Sequence, residues 1–334
     1  MNEAVDLTIT IVSFNSKDVT RQALGSIYQH TRDLSFEIIV VDNASFDGSA
    51  DMIEQEFPSV QLIRSSRNLG FGAAHNVAIQ QARGKYILVL NSDVLFLDNA
   101  VKRMVETFRS WPNKVGALGP KILYRDGSYA PSASYRQFPP RFLVGIAMIN
   151  LIFPFVHYVP LVLMRNKFGI VLSKVHGKFL QPSVVERVEW VDGICVLFSR
   201  DALERVGLFD EQYFFDMEIG DLQYRIREQG WEIIFDPETA IVHLGGYSRH
   251  LNPSILRQSI KSILVYYAKF RPDYVPFIKF VLGNSLRIKA NFLKRTNESG
   301  EQARLYRQMR SDLRDFVVSS AYANESIPDL VKGH

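Results

Sequence analysis

The sequence predicts an α/β domain built on a mostly parallel sheet flanked by helices, followed by an amphipathic helical extension. Three observations carry that prediction. Strand and helix signals alternate four times between Leu7 and Leu90, the pattern of βαβ units. The stretch Gly84 to Val94, GKYILVLNSDV, sets a continuous apolar run, Tyr86 to Leu90, ahead of Asn91-Ser92-Asp93. Such a run reads as a strand buried on both faces, and ligands of open α/β sheets sit beyond the carboxyl ends of such strands. From Ser254 to Lys294, Ile255, Ile260, Ile263, Leu264 and Tyr267 are interleaved with Arg257, Lys261 and Lys269, as on amphipathic helices.

The elements follow in order. Leu7 to Val12 (LTITIV) is a β-branched strand, Ser13 to Ser16 a turn, and Ser16 a candidate cap for a helix over 18–31. Phe36 to Val41 (FEIIVV) is the second strand, ending in Asp42-Asn43-Ala44-Ser45 before a helix over 50–56. Val60 to Arg64 is a third strand, and a glycine-containing loop, Arg67 to Gly72, leads into a helix over 73–82. After Asp93, a helix starts near Asn99, and Lys114 to Leu123 reads as a strand with a turn at Gly119-Pro120. Tyr124 to Pro140 is polar and aromatic, with prolines at 131, 139 and 140, and reads as a loop. Glu189 to Phe198 is strand-like but interrupted by Asp192-Gly193. A helix through Val206 follows, then one around Leu222, Arg225, Ile226 and Gln229 that ends at Gly230, and a last core strand, Phe235 to Val242.

Composition narrows the class. The chain has 334 residues, 47% hydrophobic and 22% charged, enough for a large core. Its one cysteine, Cys195, allows no internal disulfide and fits a reducing compartment. The first residues, MNEAVDLTITIVSFN, have no basic segment and no signal-type apolar core, so no secretion signal is expected. Residues 251–295 carry nine Lys/Arg against one acidic residue, Asp273, which points to an anionic partner such as a membrane surface. No nucleic-acid-binding module is recognisable, and nucleic acid is not an expected partner.

Three polar loops then share one sheet edge: Asp42 to Ser49, Arg67 to Asn76, and Asn91 to Asp93. An acidic residue just past a strand can accept hydrogen bonds from a base or ribose. Gly70 and Gly72 let backbone approach a phosphate beside a helix N-terminus. A carboxylate at Asp93 can hold a divalent cation against a phosphorylated substrate, or it can cap the following helix. The glycine spacing matches neither the Walker loop nor the G-x-G-x-x-G fingerprint. A nucleotidyltransferase would carry a glycine-rich basic loop after the first strand, where this chain has Ser13 to Lys17 without glycine.

Taken together, TIVSFNS at 10–16, VVDNASFDGS at 40–49, RNLGFGAAHN at 67–76 and LNSDV at 90–94 resemble the glycosyltransferases of family 2. More narrowly, they resemble bacterial rhamnosyltransferases of polysaccharide and O-antigen assembly. The resemblance implies a GT-A-like (Rossmann-like) domain over 1–250 with an apolar insertion at about 141–165, and a basic helical extension over 251–334. It implies a nucleotide-diphosphate sugar donor (dTDP-, UDP- or GDP-linked) held by Asp42, Asn43, Asn68, Gly70, Gly72, Asn76, Asn91 and Ser92. Asp93 becomes the metal-binding end of a degenerate D-x-D motif in which Asn91 replaces the first Asp. His243, in Ile241-Val242-His243 with Ser248 five residues on, resembles the family's V-x-H-x-x-x-x-S ending, where the imidazole can be a second ligand for Mg²⁺ or Mn²⁺. In the family a W-x-x-G strand, matched at Trp190 to Gly193, lines the donor site.

The family also places a general base in an E-D-x-D segment before L-x-x-R. Aligned on Asp221-Leu222-Gln223-Tyr224-Arg225, Glu218 takes the first position and Ile219 the second, a departure where the base usually stands. Glu218 is therefore the expected base, with Asp221 second and Asp216 third. The implied activity is inverting, metal-dependent transfer of a sugar, with rhamnose the candidate, onto a lipid-linked or growing bacterial surface glycan. The alternative, motivated by Ile219, is a catalytically impaired scaffold subunit of an assembly complex. The implied location is cytoplasmic, peripheral on the cytoplasmic face of the inner membrane. Phe142 to Met164 lacks any Lys, Arg, Asp or Glu. It is read as helices at the membrane interface or as a buried hairpin rather than a span, because Pro154 and Pro160 interrupt it.

Overall fold

The computed structural model describes residues 5–130, 135–136, 141–153, 183–245, 253–295 and 300–316. It divides into two compact units. The first holds residues 1–137, 172–214 and 218–248; the second holds 138–171, 215–217 and 249–334.

The first unit is organised by its sheet. Four strands, β1 (Leu7–Ser13), β2 (Phe36–Asp42), β3 (Gln61–Arg64) and β4 (Tyr86–Asn91), pair in parallel in the order β3-β2-β1-β4. Their crossovers are α1 (Lys17–His30), α2 (Ser49–Glu56) and α3 (Phe71–Gln81). Along β4, Leu88 and Leu90 enter one apolar cluster while Ile87 and Val89 enter another. Successive side chains point to opposite faces, so a strand covered on both faces must be apolar throughout.

Beyond β4 the chain adds β5 (Val94–Leu95), α4 (Ala100–Ser110) and β6 (Val115–Leu123). After the short strands β7 (Tyr135–Arg136), β8 (Glu186–Val188) and β9 (Trp190–Val191) come β10 (Cys195–Ser199), α6 (Arg200–Val206), α7 (Glu218–Glu228) and β11 (Glu232–His243); α5 (Arg141–Ile152) belongs to the second unit. The sheet continues β4-β10-β6-β11-β5, with β8 also on β11, and β10 runs antiparallel to both β4 and β6. The sheet is thus mixed, mostly parallel. Cys195 lies at the start of β10, buried, and burial pushes its thiol pKa up.

Three local expectations are corrected. No turn occurs at Gly119-Pro120: β6 runs through, Gly119 opposite Phe235 and Pro120 opposite Asp236. The irregularity is in β11, between Asp236 and Ala240. Glycine is required at 119 because an added Cβ would lie 2.5 Å from Val191 Cβ. Ser16 occupies the N-cap position of α1 without capping it. Its hydroxyl bonds those of Ser13 and Thr20, and the Lys17 N–H donates instead to Asp47 Oδ2 at 2.9 Å. Asp93 does not cap α4, since β5 intervenes and the residue ahead of that helix is Asn99.

The second unit is helical: α5, α8 (Pro253–Phe270), a 3₁₀ turn (Pro272–Tyr274), α9 (Val275–Arg295) and α10 (Gly300–Asp315). Pro272 lies in the 3₁₀ turn that separates α8 from α9, and Pro276 sits in the first turn of α9, where its missing N–H would have no helical partner anyway. Lys279 Nζ donates to the carbonyls of Arg314 and Phe316 at 3.1 and 2.9 Å, satisfying the end of α10. Among the described residues no helix is long and apolar enough to cross a membrane. The apolar stretch past Phe153 and the tail past Phe316 lie outside the described residues.

Candidate active site

The carboxyl ends of β1, β2 and β4 share one edge, because Ser13 pairs with Asp42 and Val12 with Asn91. Asp42 ends β2 and is 3% exposed. Its Oδ2 accepts from Ser45 N at 3.1 Å. Its Oδ1 is buried with no hydrogen-bond partner among the described residues. A buried carboxylate oxygen left this way is costly unless a ligand supplies a donor.

Asn43 and Asn68 build the glycine loop. The Asn43 side chain donates to Asn68 Oδ1 at 2.8 Å and to Gly70 O at 3.2 Å, and accepts from Leu69 N at 2.8 Å. Gly70 N donates to Asn68 Oδ1 at 2.9 Å. Gly70 has φ +84°, and an added Cβ would lie 2.5 Å from Phe214 O, so only glycine fits. Phe71 N donates to that same carbonyl at 3.2 Å. The loop is thereby joined to the segment that leads to Glu218, and a Cβ on Gly72 would lie 3.5 Å from Glu218 Cβ. Glu218 opens α7 and is 5% exposed.

Asn76 is buried and works as a clamp. Its amide donates to Phe209 O at 2.9 Å and to Glu211 Oε1 at 3.0 Å, and accepts from Phe209 N at 3.0 Å.

Asp221 is fully buried. It accepts from Arg225 Nε at 2.6 Å and from Tyr213 Oη at 3.1 Å. The same guanidinium donates to the carbonyls of Val206 and Leu208, both at 2.7 Å. This i, i+4 pair therefore ties α7 to the end of α6. Ile219 lies in an apolar cluster with Leu222 and Val191, and a Cβ on Gly193 would lie 2.6 Å from it. Trp190 covers Gly220 in the same way, and Gln223 makes paired hydrogen bonds to the backbone of Val191 at 2.7 and 2.9 Å. Asp216, in the second unit, accepts from Ser259 Oγ at 2.5 Å.

At the far side of the edge, His243 Nε2 lies 3.2 Å from Asp93 Oδ1. The pairing of His243 with Val94 across β11 and β5 creates this approach, and Leu244 N donates to Asp93 O at 2.9 Å. Asn91 N donates to Ile194 O, so the antiparallel β10 brings Asp192-Gly193 alongside Asn91 and Ser92. The described residues contain no group of three His, Cys, Asp or Glu able to hold a metal alone. One carboxylate and one imidazole fit Mn²⁺ better than the oxygen-seeking Mg²⁺, with phosphate oxygens and water to complete the sphere.

Two features passed unnoticed in the sequence. His75, in α3, is fully buried; its Nδ1 lies 2.9 Å from Thr10 Oγ1, and burial lowers its pKa to about 3. Phe46 is 80% exposed although its N–H is held by Asn15 Oδ1. An aromatic side chain held out from an anchored loop is a signal that only structure reveals.

Comparison with known proteins gives the family and the fold. The family model for glycosyl transferase family 2 matches residues 8–168. The chain is 30% identical over 307 residues to an N-acetylglucosaminyl-diphospho-decaprenol L-rhamnosyltransferase of Mycobacterium tuberculosis, covering 87% of this chain and 94% of that one. It is 33% identical over 107 residues to the succinoglycan biosynthesis protein ExoO of Rhizobium meliloti, 32% of this chain and 30% of that one. In fold it is similar to the mannosyltransferase PcManGT from Pyrobaculum calidifontis, solved in complex with GDP-Man and Mn²⁺. The TM-score is 0.53 at 17% identity, over 97% of this chain and 89% of that one. The chain belongs to glycosyl transferase family 2, with the GT-A fold and relatives in rhamnosyl transfer and polysaccharide biosynthesis.

Proposed function

We propose that the protein is an inverting, metal-dependent glycosyltransferase. It moves a sugar, with rhamnose from dTDP-rhamnose the leading candidate, onto a lipid-linked glycan at the cytoplasmic face of a bacterial inner membrane. The observation that carries the reading is the approach of His243 to Asp93, 3.2 Å apart at the substrate edge of the sheet. The relative's lipid diphosphate acceptor and the Mn²⁺ in the similar structure point the same way.

In this reading Asp42 Oδ1 accepts the ring N–H of a thymine or uracil. The 68–72 loop, set by Asn43 and Asn68, lies along the diphosphate, with Asn91 and Ser92 beside it. Asp93 and His243 would hold the cation, which when bound offsets the negative charge that gathers on the leaving diphosphate. Glu218 accepts the proton of the acceptor hydroxyl as its oxygen attacks the anomeric carbon on the face opposite the departing nucleotide, which inverts that centre. Asp221, paired to Arg225, and Asn76, bonded to Phe209, fix the segments on either side of Glu218 and exchange no proton.

The scaffold alternative drew its support from Ile219. That side chain packs into an apolar cluster, where a carboxylate would be buried among hydrocarbon. With no carboxylate at 219, this reading assigns the base to Glu218, buried at the start of α7.

For the membrane, α9 carries Arg287 and Lys289 and no acidic residue. Phe280 and Ile288 are 70% and 56% exposed on it. Exposed apolar side chains among cations suit an anionic lipid surface.

The test is a donor screen. Purified protein with Mn²⁺ or Mg²⁺ is given UDP-, GDP- and dTDP-sugars, and nucleotide release is followed with and without a polyprenyl-diphosphate sugar acceptor. Release from one donor, lost in Glu218→Gln and Asp93→Ala, is expected; no binding of any nucleotide sugar would end this reading.

A further inference from the structure

Asp216 and Met217 are consecutive non-glycine residues with positive φ, 66° and 69°. L-residues avoid this region, and two in a row persist only where the surroundings dictate them. Their restraint comes from α8. Ser259 Oγ donates to Asp216 Oδ2 at 2.5 Å, and Ser262 Oγ donates to Phe215 O at 2.7 Å. Both serines are buried, at 4% and 2% exposure, among Leu256, Ile260, Ile263 and Leu264. Serine is a poor choice for a buried helix face unless its hydroxyl is used, and here each hydroxyl is spent on the 215–217 segment. The next residue is Glu218, the first of α7.

We propose that Ser259 and Ser262 are positioning residues for sugar transfer. By holding Phe215–Met217 in its left-handed turn, they set where α7 begins and so where the Glu218 carboxylate stands. Asp216 then serves as the handle by which α8 grips the loop. The proposal rests on the reading of Glu218 as the base.

The test uses the full chain with Mn²⁺ and dTDP-rhamnose, or whichever nucleotide sugar the wild type hydrolyses. Ser259→Ala, Ser262→Ala, Ser259→Thr and Asp216→Asn are compared for kcat, KM, unfolding midpoint and hydrogen exchange over residues 213–220. Each alanine variant is expected to lower kcat at least tenfold with donor KM within twofold of wild type and exchange accelerated over 213–220. Ser259→Thr, which keeps the hydroxyl, should recover most of the rate, and Asp216→Asn, which keeps an acceptor oxygen, should lose less than tenfold. Unchanged kcat in both alanine variants overturns the proposal. So does a fall in kcat matched by equal loss of donor binding and of unfolding midpoint, which marks a merely structural role. Complete loss in Asp216→Asn overturns it too, by making Asp216 the base. A wild-type chain that binds no nucleotide sugar, and releases none with a polyprenyl-diphosphate sugar acceptor present, instead removes the proposed function on which the role of Glu218 rests, a result separate from any behaviour of the serines.

Discussion

His243 Nε2 stands 3.2 Å from Asp93 Oδ1, although 150 residues separate them in the chain. The two-residue β5 beside the end of β11 is what closes that distance. If the pair holds a cation together with a nucleotide diphosphate, replacing either residue removes a direct ligand. Mn²⁺ titrated by electron paramagnetic resonance in the presence of UDP or dTDP should bind at least about 10-fold more weakly to Asp93→Ala and to His243→Ala. Equal affinity in wild type and both variants would remove the metal assignment.

Asp42 offers a buried oxygen to a ligand donor. Asp42→Ala should weaken nucleotide binding by about 1.5–3 kcal/mol, the value of a hydrogen bond to a charged group. Calorimetry with dTDP and UDP measures this, and an unaltered Kd for both would place the base elsewhere.

The proposed division of roles between Glu218 and Asp221 can be tested directly. Glu218→Gln keeps the shape and should lower kcat by about 10²–10⁴-fold, with little change in urea midpoint. Asp221→Ala leaves the Arg225 guanidinium without its buried carboxylate and should destabilise the fold by about 3–5 kcal/mol. Normal turnover in Glu218→Gln beside a stable, inactive Asp221→Asn would reverse the two roles.

His75 makes stability depend on pH. Its folded pKa is lowered to about 3 by burial, so between that value and the unfolded pKa only the unfolded chain takes up the proton. Its contribution is intact above pH 6.5 and declines as pH falls, by up to about 1.4 kcal/mol per unit. Its neighbours Thr10, Phe71 and Phe209 carry no charge. His75→Phe should therefore flatten the drop in urea midpoint between pH 7 and pH 5, and an identical slope in the variant would refute the account.

Phe280 and Ile288 supply the test of lipid binding. Phe280→Ser with Ile288→Ser should abolish co-sedimentation with vesicles of phosphatidylglycerol while leaving nucleotide release from the donor unchanged. Wild-type protein should leave the vesicles as salt is raised. Binding equal to neutral phosphatidylcholine vesicles would rule out the anionic surface.

Much of this architecture was readable in advance, for physical reasons. The βαβ alternation through Leu90 and the placing of Asp42, Gly70 and Asp93 on one edge follow from period and turn chemistry. The direction of β10 was not readable, because CVLFS is apolar whichever way it runs. Nor could the sequence separate amides that face a ligand from amides that brace a loop. Asn43 and Asn76 are polar residues at a sheet edge on either account, and their hydrogen bonds to Leu69, Gly70 and Phe209 are visible only in the structure. That Ile219 packs against Gly193 could not be read from the sequence either, because the two are 26 residues apart.

Cys195, the chain's single cysteine, is shielded at the centre of the sheet. A thiol reagent added to the native protein therefore has nothing to modify until the strand between β4 and β6 comes apart. The rate of labelling becomes a clock for opening of the whole core, read from one atom and without any introduced probe.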